Sequence, residues 1–172
     1  VGAALGDWRA LPDLSLIGDY HDHPDYIAAL ANSVREHWQQ HGRTAQLLMS
    51  FHGLPQRCVQ RGDPYEQQCR QTASLLATAL ELGASDWSLS FQSRFGAERW
   101  LGPATDQVLA ELPRRGLRSL TVICPGFAVD CLETLEEIAV EGREIYLHAG
   151  GEQFQYVPAL NDRGDHARAL AR

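Results

Sequence analysis

The sequence has 172 residues, 44% of them hydrophobic, which suffices for one packed core of ordinary domain size. Its formal charge of -7 at pH 7 repels phosphate backbones, and the arginines are scattered instead of gathered into a stripe, so nucleic acid is not an expected partner. No apolar run reaches the roughly 18 residues that a membrane-spanning helix needs, and the first residues lack a basic-then-apolar signal pattern, which points to the cytoplasm.

In chain order, a short apolar run at Leu14 to Ile17 is a minor strand candidate. Helical spacing covers Pro24 to His41, with Pro24 suited to a first helical turn and Asp22 or His23 suited to capping it. Ala45 to Phe51 reads as a buried strand, Pro64 to Leu82 as a helix and Trp87 to Phe91 as a strand. Pro103 to Arg114 then reads as a helix, Ser119 to Ile123 as a strand, Cys131 to Val140 as a helix and Glu144 to His148 as a strand. Alternation of helices with near-continuous apolar strands predicts an α/β fold, a parallel sheet of about four strands with helices on both faces. Cys58, Cys69, Cys124 and Cys131 form no C-x-x-C pair and read as free thiols.

In an open parallel sheet, ligands bind beyond the carboxyl ends of the strands, and the unusual residues of this sequence collect there. His52 follows the first long strand and precedes Gly53, which lets the chain turn and leaves the imidazole facing the cleft. It can accept a proton, bind a metal, or merely cap the strand end. Glu133, Glu137 and Glu141 recur every four residues, so a continuing helix stacks three carboxylates on one face, a row able to pass cations or protons. The competing reading is that acidic residues in a first turn complement the helix dipole, with Asp130 and Glu133 resembling a capping box. Glu136 lies off the row.

Gln92, Ser93 and Arg94 leave the second strand, where Arg94 either binds a ligand carboxylate or anchors its loop. Leu54, Trp100 and Phe127 are large apolar groups near these loops, suited to a flat aromatic ligand or to the core. His37 and His41 share a helical face at the spacing two metal ligands need, but no third ligand is evident in sequence, so they read as a solvated face.

Three stretches, "SFHGLPQR" from Ser50, "SFQSRFGAERWLGPATD" from Ser90 and "CPGFAVDCLETLEEIAVEGRE" from Cys124, are similar to ferrochelatases, particularly those of Gram-negative bacteria. "HDHPDYI" before them and "GGEQFQYVPALND" after them extend the resemblance over nearly the whole chain in the same order. The resemblance implies a Rossmann-like chelatase lobe, with residues 21–172 as a carboxyl-terminal lobe and 1–20 as a lead-in from a preceding one. It also implies insertion of ferrous iron into protoporphyrin IX to give protohaem, the last step of haem biosynthesis, with coproporphyrin as the alternative substrate.

By the same resemblance His52 and Glu133 are the catalytic and metal-contacting pair. Asp130, Glu137 and Glu141 belong to a metal or proton path along a helix with a π-type distortion. Trp100 and Phe127 line the porphyrin cleft, with Leu54 and Arg94 as further contacts. Some relatives, including the animal enzymes, carry histidine where this sequence has Cys131. Relatives that bind an iron-sulfur cluster use cysteines near the carboxyl terminus, and none follows Cys131 here, so no cluster is expected. The expected partners are a porphyrin and the amino-terminal lobe of the same enzyme. Without that lobe the expectation is an inactive or self-associating chain, or a module that binds porphyrin or metal without turnover.

Overall fold

The structure is a computed structural model that describes residues 9, 10, 13 and 16–171. Four strands, β1 (Gln46–His52), β2 (Trp87–Gln92), β3 (Ser119–Ile123) and β4 (Gln153–Val157), form one parallel sheet in the order β2-β1-β3-β4. Around it lie α1 (Pro24–His41), α2 (Gln56–Gln60), α3 (Tyr65–Ala79) and α4 (Thr105–Glu111). A single α-helical turn, α5 (Leu132–Thr134), follows β3 and opens into a π-helix over Leu135–Gly142, which passes directly into α6 (Arg143–His148). The final helix, α7 (Gly164–Leu170), packs on α1.

The central strands β1 and β3 are buried on both sides, and their alternate residues feed two cores. Leu47, Met49 and Phe51 of β1 join α1 and α3 on one face. Leu48 joins Leu120, Val122, Ile138 and Tyr146 on the other, beneath the π-helix and α6. The predicted α/β fold with helices on both faces is therefore present. From β1 the chain crosses to β2 on one side, whereas β3 and β4 lie on the other, so the strand order reverses between β1 and β3. The crevice outside the ends of those two strands is the place where such sheets bind ligands.

α1 has the predicted bounds, and His23, not Asp22, caps it by accepting the Asp25 backbone N–H at 3.2 Å. The region predicted as a helix from Pro103 to Arg114 is shorter, ending at Glu111 before a 3₁₀ turn at Pro113–Arg115.

Two predicted elements are corrected. Glu144 to His148 is helix, not strand: the turns begun at Leu132 run on without a break, and Tyr146 drives fully into the second core. A short apolar run cannot by periodicity alone be told from a buried helical segment. The fourth strand is instead Gln153–Val157. Of the candidate strand Leu14 to Ile17, Leu14 and Ser15 lie outside the described residues, while Leu16 and Ile17 belong to no strand and are exposed. No described helix is long and apolar enough to cross a membrane.

Candidate functional site

The site begins with a register match. β1 and β2 pair as far as His52 opposite Gln92, while β1 and β3 pair only to Met49 opposite Ile123. His52 and Gln92 thus project past the point where β3 has turned away. Gly53 N–H then donates to the Gln92 carbonyl at 2.8 Å. A Cβ at Gly53 would lie 2.8 Å from that oxygen and 3.2 Å from the Trp100 ring, so only glycine permits this approach.

His52 is half-buried, its ring centroid 6.1 Å from that of Phe127. Its Nδ1 lies 2.7 Å from the Gly53 carbonyl oxygen. A carbonyl can only accept, so Nδ1 carries the proton and Nε2 is the basic nitrogen of the neutral ring. The Tyr65 hydroxyl donates to the His52 carbonyl at 2.9 Å, fixing the backbone from the α3 side.

Above this edge sits the π-helix. Cys131 is the residue that caps α5, and Thr134 Oγ1 accepts its N–H at 2.9 Å. Asp130 does not form the capping box expected of it. Its carboxylate accepts from Tyr156 Oη at 2.6 Å, from Asn161 Nδ2 at 2.8 Å and from the Ala159 N–H at 3.2 Å. Burial alone would raise its pKa, but these bonds and one from Thr134 outweigh burial and hold the carboxyl below its ordinary range. Asp130 thereby ties the start of the acidic helix to the chain leaving β4.

Glu133 has a lowered pKa, first through a hydrogen bond with Cys131 and then through its own backbone N–H, with a further contribution from its favourable interaction with the protonated form of His52. Glu137 is gripped by Ser93, whose N–H and Oγ reach its two carboxylate oxygens at 2.6 and 2.5 Å. Beneath them, Gln92 Nε2 donates to the Glu133 carbonyl at 2.5 Å, and Gln92 Oε1 accepts from Ser50 Oγ at 2.7 Å. Ser50 and Ser90 both meet Thr105 Oγ1 at 2.8 Å, which completes a buried polar network from α4 to the π-helix.

Glu137 and the exposed Glu141 line a cleft of about 750 Å³ together with Ser93, Arg94 and Trp100. His52 and Glu133 stand outside that lining, so the acidic row divides between the His52 edge and the cleft. Arg94 donates to both oxygens of Asp106 at 2.8 and 2.9 Å, the loop-anchoring alternative of its two readings. Trp100 packs over Gly53 and donates its indole N–H to the Phe95 carbonyl at 2.9 Å. Leu54 is half-buried against the first core. The roles of Ser93, Tyr65, Tyr156 and Asn161 had no local signal in sequence, since each acts on a residue distant along the chain.

A family profile described as Ferrochelatase matches residues 1–172. A ferrochelatase of Aeromonas hydrophila is 61% identical over 167 residues, which are 97% of this chain and 52% of that protein. A ferrochelatase of Vibrio cholerae is 54% identical over 98% of this chain and 52% of its own length. One from Nitrosococcus oceani is 52% identical over 99% and 46%. The chain spans about half the length of the curated relatives it matches. With the profile matched from the first residue to the last and identities above half, the chain belongs to the ferrochelatase family.

Proposed function

We propose that this chain is the carboxyl-terminal half of an enzyme that inserts ferrous iron into protoporphyrin IX to form protohaem. The observation that carries the reading is a basic imidazole nitrogen on His52, electrostatically coupled to Glu133 on the turn that leads into a π-helix bearing Glu137 and Glu141. π-Helical turns are rare and concentrate at functional sites.

Metallation exchanges two pyrrole protons for one cation, so the reaction needs a proton acceptor beside the macrocycle and a route for charge. Nε2 of His52 is the acceptor, and the neighbouring Glu133 carboxylate stabilises the imidazolium that results. Glu137 and Glu141 carry protons or cations along the cleft, with Asp130 anchoring their helix. Leu54, Trp100 and Phe127 form the apolar wall for the ring, and Arg94 positions the loop beside it. Mixed nitrogen and oxygen donors in low number hold ferrous iron weakly enough to release it to the porphyrin.

The other wall of the porphyrin site comes from an amino-terminal half, joined through residues 1–20. The exposed side chains of Val129, Leu132 and Leu135 beside the site, and the half-length match to the relatives, support that partner. We place the protein in the cytoplasm and assign it no iron-sulfur cluster. The four cysteines are free, with Cys69 and Cys124 in separate cores.

The test is anaerobic incubation of the full-length protein with ferrous iron and protoporphyrin IX, followed by absorbance. Protohaem formation with turnover is the expected result. Tight porphyrin binding without metallation overturns it in favour of a binding module, and faster turnover of coproporphyrin overturns the choice of substrate.

A further inference from the structure

A histidine pair on α1 takes no part in this chemistry. His37 and His41 stand one helical turn apart, with ring centroids 4.5 Å apart and planes tilted by 45°. At that spacing two imidazoles share one face of a helix, the arrangement in which a pair of histidines can hold one cation. His41 is exposed at the helix end, whereas His37 is half-buried. The Nε2 of His37 is enclosed and has no hydrogen-bond partner among the described residues. Buried ring nitrogens are normally satisfied, so this atom lacks a partner that the folded chain does not itself supply.

Both rings stand on the wall of a cavity of about 450 Å³ between α1 and the chain that leaves β4. Two carboxylates share that wall. Glu36 is already committed to Arg163, at 2.7 and 3.0 Å, and the exposed Asp162 lines the same cavity. Burial, and secondarily the neighbouring His41, lowers the pKa of His37 against the opposing effect of the Gln155 side chain, and so favours the neutral ring, the state in which imidazole acts as a ligand. α1 covers the sheet face opposite the π-helix, so the pair is remote from Glu133, Glu137 and Glu141.

We propose that His37 and His41 form a two-imidazole site for a divalent transition cation of the zinc, cobalt or nickel class, separate from the acidic cleft. Imidazole nitrogen selects these ions over magnesium or calcium, which prefer oxygen. Two protein nitrogens, with water in the remaining positions, give an open site that exchanges its ion readily.

The test titrates Zn²⁺ or Ni²⁺ alone, without porphyrin, into the full-length protein near neutral pH and follows stoichiometry by calorimetry. A cation equivalent present in the wild type is lost in His37→Ala and His41→Ala and kept in His148→Ala and Glu137→Gln. His41 is exposed, so its variant folds even where His37→Ala does not. Crystals soaked in zinc give anomalous density between the two rings. Unchanged stoichiometry in folded His41→Ala, loss of the same equivalent in Glu137→Gln, or anomalous density confined to the acidic cleft overturns the proposal.

Discussion

Ser93 holds Glu137 by both carboxylate oxygens, one from its backbone N–H at 2.6 Å and one from its hydroxyl at 2.5 Å. The residue doing this has a positive φ of 60°, a conformation that costs energy for a non-glycine residue. That strain turns both donors toward one target, so the end of β2 locks the middle of the π-helix. Hydrogen bonds to an ionised group contribute about 1.5–3 kcal/mol, and Ser93→Ala removes one of the two. We expect Ser93→Ala to lose about 1.5 kcal/mol of stability, read from the urea midpoint. A midpoint equal to wild type would mean that Glu137 is held by other contacts.

Gly53 lies where β1 turns under Trp100. A Cβ there meets the Gln92 carbonyl at 2.8 Å, and a backbone oxygen cannot swing aside as a flexible side chain would. Gly53→Ala should therefore push the ends of β1 and β2 apart and cost about 1–3 kcal/mol, the usual range for overpacking. Trp100 fluorescence should shift in the folded variant, because the indole rests on the same glycine. A variant with wild-type stability and spectrum would show that the strand ends part at no cost.

Asp130 sets a pH dependence whose sign follows from its lowered pKa. Such a carboxyl contributes stability above its unfolded pKa of about 3.9, and that contribution is lost as pH falls through the lower folded value. Urea midpoints should thus decline below about pH 4 in the wild type, with a shallower acid arm in Asp130→Asn. At neutral pH the variant should be less stable by about 2 kcal/mol, since an amide turns an NH₂ toward donors that had an anion to meet. Parallel acid arms in the two proteins would remove Asp130 from the account.

Thiol reactivity separates the four cysteines. Burial pushes the Cys69 thiol up to about 12 and the Cys124 thiol well above its ordinary range. Since the thiolate is the reactive form, a disulfide reagent at mildly alkaline pH should titrate Cys58 first in the native protein, and the half-buried Cys131 more slowly, because burial and its bond with Glu133 raise its thiol pKa. Cys69 and Cys124 should react only after denaturation. Labelling of Cys124 in the native state would mean that the second core opens.

Much of the sheet is legible in sequence because β1, β2 and β3 are dense apolar runs that both cores require. β4 is not, for it alternates glutamine with Phe154 and Tyr156, and its buried Gln155 is there for hydrogen bonds: Nε2 donates to the His41 and Gly42 carbonyls, and Oε1 accepts from Thr121. The apolar signal that suggested a strand nine residues earlier belongs to α6, where Tyr146 fills the core from a helix. In the site, His52 is legible because a histidine–glycine pair ends a buried strand. The Asp130 role is not, because its partners Tyr156, Ala159 and Asn161 come from a strand and turn beyond the helix it precedes. The grip of Ser93 on Glu137 spans 44 positions and is fixed only once β2 and the π-helix are packed together.

The central claim is that His52 takes the pyrrole protons. The direct measurement is the single-turnover rate of anaerobic iron insertion by the full-length His52→Ala protein, with porphyrin binding followed separately by fluorescence quenching. General-base catalysis contributes roughly 10²–10⁴-fold, so the rate should fall by at least about a hundredfold while porphyrin affinity is kept. Wild-type insertion by a folded His52→Ala protein would contradict the account and move the proton acceptor elsewhere.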